Sequence, residues 1–150
     1  MVTLRPAEAA DLATLRAIAA AAYERYVPRI GRAPAPMSAD YAEAVRSRQA
    51  WVAVGDDEIA GLIVLVPQPG YLLLENVAVR PAAQGRGVGA RLMALAESEA
   101  RRLELPEIRL YTNEAMTENL AYYPRHGYTE THRAEQEGFR RVYFRKRLAA

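Results

Sequence analysis

Three glycines, Gly85, Gly87 and Gly89, alternate with Arg86 and Val88 directly after a hydrophobic run that ends at Val79. They open a stretch that reads as a helix to about Leu103. Glycine allows tight backbone bends and lets a ligand come close to the main chain. A helix start also presents unpaired N–H groups and the positive end of a dipole, so this corner suits an anion such as a pyrophosphate. A second residue with chemical potential is Glu75, which interrupts the apolar run Leu72-Leu73-Leu74 just before Val77. An unpaired buried carboxylate is costly, so Glu75 is expected in a polar cleft. There it could take a proton, directly or through water, or hold a cation. The plainer alternative is a strand-end carboxylate paired with an arginine on a neighbouring strand.

The elements that must position these residues follow from periodicity and turn chemistry. Val2 to Arg5 reads as a strand, and Pro6 suits the first turn of a helix whose stripe is Leu12, Leu15, Ile18, Ala19 and Ala22. Prolines 28, 34 and 36 with Gly31 argue against regular helix from Pro28 to Met37. A short helix is expected from about Ala39 to Arg48 with Ser38 as N-cap. Strands follow at Trp51–Val54, Ile59–Val66 and Tyr71–Val79, with turns at Gly55-Asp56-Asp57 and Pro67-Gln68-Pro69-Gly70. After the glycine-opened helix come a strand at Glu107–Thr112 and a helix at Thr117–Arg125. Strands at Tyr128 to about Glu135 and Phe139–Leu148, joined near Glu137-Gly138, close the chain. The expected fold is mixed α/β in one domain over residues 1–150, a largely antiparallel central sheet of about seven strands flanked by about four helices.

Composition excludes several chemistries. The chain has 150 residues, no cysteine and two histidines, so neither a thiolate nucleophile nor a zinc site is expected. Ser38, Ser47 and Ser98 lack a nucleophile-elbow context. The formal charge of +2 is small, and the basic stretch Arg140–Arg147 alternates with Val142, Phe144 and Leu148 like a strand with one solvated face. No nucleic-acid partner is expected from that pattern. No apolar run would span a bilayer and no signal-peptide pattern occurs, so the expectation is a cytoplasmic protein without a membrane partner. The glycine loop is neither a dinucleotide fingerprint nor a kinase-type phosphate loop. It follows the fourth strand, the next strand ends in Tyr111-Thr112-Asn113, and no Gly-Lys-Ser/Thr follows.

Gln84-x-x-Gly87-x-Gly89, after Asn76-Val-Ala-Val-Arg-Pro81, resembles the acetyl-CoA motif of the GNAT superfamily of N-acetyltransferases. Asn119-Leu-Ala-Tyr-Tyr123-Pro-Arg-His-Gly127-Tyr128 resembles that family's second signature, Asn-x-x-x-Tyr-x-x-x-Gly-aromatic. The resemblance extends in element order from Val2 to Leu148 and implies the acyl-CoA N-acyltransferase fold with acetyl-CoA as co-substrate. It implies that main-chain groups of Val77, Ala78 and Val79 pair with the pantetheine arm. Gln84, Gly85, Arg86, Gly87, Val88, Gly89 and Ala90 would wrap the pyrophosphate. Arg86 and Arg91 would add charge, Arg91 equally fitting a solvated helix face. Asn119 would contact pantetheine or bond locally to backbone. Tyr123 would protonate the departing thiolate, its alternative being a packing aromatic. Relatives carry a base glutamate where this chain has Leu73 or Tyr111, so the role of base is assigned to Glu75. Tyr23, Tyr26 and Met37, with Glu75, would face the acceptor. The implied reaction is acetyl transfer to a primary amine, in the first instance a small molecule, by direct attack in a ternary complex. A protein N-terminal or lysine acetyltransferase, or a non-catalytic acyl-CoA sensor or scaffold, are the alternatives. The chain would work as a monomer or homodimer.

Overall fold

The computed structural model describes residues 2–149. Seven strands form one sheet: β1 Thr3–Pro6, β2 Ala50–Gly55, β3 Glu58–Gln68, β4 Tyr71–Val79, β5 Glu107–Asn113, β6 Thr129–Gln136 and β7 Phe139–Arg147, in the order β1-β2-β3-β4-β5-β7-β6. The helices are α1 Leu12–Tyr23, α2 Val27–Ile30, α3 Tyr41–Arg46, α4 Val88–Arg102 and α5 Thr117–Arg125. Apart from the parallel β4–β5 pair, the registered ladders between β1 and β2, β2 and β3, β5 and β7, and β6 and β7 are antiparallel. No helix among the described residues is long and apolar enough to cross a membrane.

The chain clusters into two compact units. The first runs to Leu65 and again over Asn76–Ala94; the second comprises Val66–Glu75 and the chain from Leu95 onward. In the first unit, β3 is buried almost throughout to Leu65, as its near-continuous apolar run requires of a central strand. The β2–β3 register passes from Ala53↔Gly61 to Val54↔Ile59, so Ala60 bulges, and its carbonyl accepts the Arg80 N–H at 2.8 Å. The Arg80 guanidinium donates to the Ile59 carbonyl at 2.8 Å and pairs with Glu58 at 3.2 Å. The bulge thereby anchors the residue that begins the glycine loop.

Several N-terminal boundaries differ from the sequence expectation. Pro6 ends β1, and the first helical turn is a 3-10 turn at Ala9–Asp11 before α1. Asp11 is held there by Arg5 at 2.8 Å and accepts the Glu8 N–H. The stretch Pro28–Met37 is partly helical after all: Pro28 sits in the first turn of α2, where its missing N–H is tolerated, and Gly31 at φ 89° stops it. The N-cap of α3 is Asp40, not Ser38, with its carboxylate accepting the Glu43 N–H at 3.0 Å. Strand β3 continues through Pro67 to Gln68 before the turn at Pro69-Gly70.

In the second unit, Leu72, Leu74, Ala96, Ala100, Ile108, Leu110, Val142 and Phe144 are core. Strand β6 is exposed along its length, as a charged edge strand can be. The one buried side-chain polar atom left without a hydrogen bond among the described residues is the Tyr128 hydroxyl. Burial pushes its phenol well above the usual range. Removing an unsatisfied buried hydroxyl while keeping the ring should help, so Tyr128→Phe is expected to raise stability by about 1–2 kcal/mol. Thermal and urea unfolding check this, and a lower melting temperature would contradict it.

Candidate active site

The glycine loop behaves as its residue types demand. Gly85 and Gly87 have φ values of 80° and 81°, the left-handed region where a side chain is strained, while Gly89 is an ordinary helical residue in the first turn of α4. The Arg91 N–H closes the first helical bond onto the Gly87 carbonyl at 3.1 Å. That leaves the N–H groups of Val88, Gly89 and Ala90 as those for which the helix itself supplies no acceptor. A cavity of about 580 Å³ abuts this corner, lined among others by Arg80, Arg86, Gly87, Val88 and Arg91 and by the carboxylates of Asp56 and Glu58. Arg80 is committed to Glu58 and Ile59; Arg86 and Arg91 have no carboxylate partner among the described residues. Donor-rich backbone and two uncommitted guanidinium groups fit a diphosphate.

The corner depends on a close approach at Gly61. A Cβ there would lie 2.9 Å from the Ala78 carbonyl oxygen and 3.2 Å from both Val88 Cγ1 and Leu92 Cδ1. Only a residue without a side chain lets α4 start so near the strands.

Strand alternation sorts the three residues expected to pair with pantetheine. Because the Arg80 N–H reaches Ala60 on β3, two-residue alternation turns the backbone of Ala78 toward β3 as well and that of Val77 and Val79 to the opposite edge. Ala78 is therefore committed within the sheet, correcting the expectation for that residue. On the opposite edge, the Val77 carbonyl accepts the Tyr23 hydroxyl at 2.8 Å and the Val79 carbonyl accepts the Gln84 amide at 3.2 Å. Their N–H groups are what this edge has to donate. Gln84 thus acts on the edge of β4.

Tyr23 and Tyr26, expected at the acceptor wall, are both buried in the first unit. The single Tyr23 hydroxyl hydrogen lies between Val77 O and Asn76 Oδ1, the latter at 2.6 Å. The buried Asn76 amide donates to the Tyr41 hydroxyl at 2.6 Å, which in turn donates to the Pro36 carbonyl at 2.6 Å. This relay ties α1 and α3 to β4, so Tyr23 positions the strand edge. Asn76, which the sequence reading passed over, is its centre; its place among apolar neighbours in β4 was the available signal. The Tyr26 ring lies beneath Arg25 and Arg29, and Met37 is half-buried in a 3-10 turn at Ala35–Ser38.

In the second unit, Tyr123 is buried beside the rings of Tyr122, Tyr128 and Phe144, whose centroids lie 5.5, 6.0 and 5.8 Å away. Helix α5 ends one turn later because Gly127 adopts φ 87°. The half-buried Asn119 donates its amide to Thr112 Oγ1 at 3.1 Å. The same amide also lies 3.5 Å from the sulfur of Met116, the N-cap residue of α5, so its carbonyl oxygen is the group it has left to offer. Glu75 alternates with the buried Leu74 and Asn76 and lies on the opposite, accessible face of β4. Partial desolvation still raises its carboxyl above the usual value; burial raises the phenol of Tyr111, and the charge of Glu75 adds to that. No arginine pairs with Glu75 among the described residues, which removes the strand-end ion pair considered above.

The stretch Arg140–Arg147 is not uniformly solvated. Arg141 is buried, its guanidinium carbon 4.2 Å from the Tyr111 ring centroid. The expectation of a solvated face fails there because the neighbouring strand supplies an aromatic surface that covers the side chain.

The sequence matches the model of the acetyltransferase (GNAT) family over residues 13–128. The chain belongs to this family, whose members are acetyl-CoA-dependent N-acetyltransferases. Among solved structures, PaiA N-acetyltransferase from Thermoplasma acidophilum in complex with coenzyme A is similar at 17% identity and a TM-score of 0.76, over 99% of each chain. The ribosomal-protein-S18-alanine N-acetyltransferase from Escherichia coli gives 16% and 0.78, over 100% of this chain and 96% of that one. A nourseothricin acetyltransferase gives 27% and 0.60, over 65% and 64%. No curated protein sequence matches the chain.

Proposed function

We propose that this acetyltransferase transfers acetyl from acetyl-CoA to the primary amine of a small molecule by direct attack in a ternary complex. The observation that carries the reading is the left-handed Gly85–Gly87 turn, which delivers the free N–H groups of α4 into an arginine-lined cavity. Val88, Gly89 and Ala90 N–H groups hold the diphosphate, with Arg86 and Arg91 adding charge. Val77 and Val79 N–H groups pair with the pantetheine arm, and the Val77 N–H stabilises negative charge on the thioester oxygen. An alkyl ammonium has a pKa of about 10.4 and must lose a proton before it can attack. Glu75, directly or through water, takes that proton. As the nitrogen bonds to the acetyl carbon and the C–S bond breaks, the Tyr123 hydroxyl gives its proton to the sulfur. A phenol of ordinary pKa about 10 is protonated at neutral pH and so has a proton to give; passing it to a thiolate of about 8.5 is uphill by about 2 kcal/mol, a cost carried by the C–S cleavage that it accompanies.

A small acceptor is favoured over a peptide because recognition groups near Glu75 are concentrated. Tyr111 lies within electrostatic reach of it on the neighbouring strand β5, and Tyr143 and Arg141 on β7 pack against that tyrosine. The alternative of a protein N-terminus draws on the likeness to the ribosomal-protein enzyme. Coenzyme A calorimetry followed by thiol release with an amine panel and a peptide panel tests these readings. Tight cofactor binding without thiol release on any acceptor would leave the sensor reading.

The raised carboxyl of Glu75 gives a pH prediction. A base works only when deprotonated, so kcat/KM should climb as pH rises through that elevated pKa. Glu75→Gln should erase this acid limb and lower kcat/KM near neutrality by about tenfold, below the usual range for a general base because water can relay the proton. An unchanged pH profile would remove Glu75 from the reaction.

A further inference from the structure

The arginines of the second unit are paired in an order opposite to what stability alone would favour. Exposed Arg102, Arg109 and Arg133 reach carboxylates at 2.8, 2.7 and 3.0 Å. Buried Arg141, whose side chain is only 7% exposed, has only a long ion pair. Its nearest carboxylate oxygen, on a 75% exposed Glu137, stands 3.9 Å away. Its one hydrogen bond goes to the neutral Gln136 Oε1 at 3.3 Å, an oxygen that already accepts the Tyr143 hydroxyl at 2.7 Å. A guanidinium has five N–H donors and stays charged at all working pH values. Burying that charge against the rings of Tyr111 and Phe139, at 4.2 and 5.7 Å, recovers part of the desolvation cost but supplies no anion.

The surroundings give this charge a direction. Arg141 lies opposite Asn113 in the β5–β7 register, and Tyr111 opposite Tyr143. Tyr111 is thus covered by Arg141 and Tyr143 while standing within electrostatic reach of Glu75. Around one tyrosine the second unit holds Glu75, a carboxylate with no ion-pair partner among the described residues, and Arg141, whose one carboxylate neighbour is the exposed Glu137 at 3.9 Å. Those two charges are complementary to a molecule that carries both an ammonium and an anion. Arg141 lies beyond residue 128, where the match to the family model ends.

Building on the acetyltransferase reading, we infer that the acceptor carries a carboxylate in addition to its reactive amine, and that Arg141 is the residue that selects for it. The amine lies toward Glu75, and the carboxylate takes guanidinium N–H donors of Arg141 that Gln136 does not use. Amino-acid-like acceptors satisfy this arrangement; amines lacking an anion leave Arg141 with only its long contact to Glu137.

The test compares free amino acids of α, β and ω type with the same compounds as carboxamides, using acetyl-CoA and thiol release. For the native enzyme, kcat/KM for the best acid should exceed that for its amide by at least about tenfold, the scale of one charge-assisted hydrogen bond. Arg141→Gln should reduce that ratio toward one, and Arg141→Lys, which keeps the charge without the planar fork, should fall between. Equal use of acids and amides by the native enzyme overturns the inference without recourse to any variant. So does an equal loss on both classes in Arg141→Gln, which is what a purely structural arginine predicts. If acetyl-CoA binds but no acid, amide or simple amine is acetylated, the transferase reading fails first and this inference with it.

Discussion

Replacing Tyr123 by phenylalanine is expected to lower kcat by about 10²–10³-fold, the range for loss of a positioned general acid. The ring should stay in place, because it is packed against Tyr122, Tyr128 and Phe144 and phenylalanine keeps those contacts. Affinity for acetyl-CoA should therefore change by less than about threefold, since in the proposed reading the diphosphate is held at the turn at Gly85–Gly87 and the start of α4. The separation of a lost kcat from a retained dissociation constant distinguishes proton donation from packing. Calorimetry for binding and stopped-flow thiol release for turnover supply the two readouts. A Tyr123→Phe enzyme with native kcat would return the residue to the role of a packing aromatic.

The same tyrosine shows what the sequence made legible. Tyr123 on a short helix and Gly127 just past its end sit at fixed spacing, and local backbone rules carry such spacing faithfully into structure: α5 spans Thr117–Arg125 as expected and Gly127 follows it in the left-handed region. The glycine loop was readable for the same reason, since positive φ at Gly85 and Gly87 is a property of the residue type. Features that depend on a partner distant in sequence were not. Tyr23 reads as an amphipathic residue open to an acceptor, yet its hydroxyl is taken by Asn76 and Val77, 53 and 54 residues away. Arg141 reads as one of a row of solvated bases until the β5–β7 register brings Tyr111 to it. Alternation alone could not separate Ala78 from Val77 and Val79, because the edge each faces is set by the bulge at Ala60. Sequence spacing specifies the local geometry that holds a cofactor, while the choice of acceptor depends on pairings between strands.

That dependence makes Gly61 the most sensitive position remote from the chemistry. It lies on β3, and nothing about its immediate sequence marks it as part of a cofactor site. A side chain there meets the Ala78 carbonyl at 2.9 Å, an atom fixed in the sheet, and the side chains of Val88 and Leu92 on successive turns of α4 at 3.2 Å. Gly61→Val must therefore push the first turn of α4 outward, carrying the N–H groups of Val88, Gly89 and Ala90 with it. Misplacing positioning groups by about 1 Å costs on the order of 10²-fold, and that is the expected fall in kcat/KM for acetyl-CoA. Overpacking should also lower stability by about 1–3 kcal/mol. Gly31→Ala separates these two effects: Gly31 has φ 89° and open space around its Cβ position, so substitution strains the backbone without touching the loop. It should lose stability while binding coenzyme A normally, whereas Gly61→Val should lose both. If Gly61→Val kept native affinity for coenzyme A, or if Gly31→Ala lost it to the same extent, the seating of α4 against Gly61 would have no part in holding the cofactor.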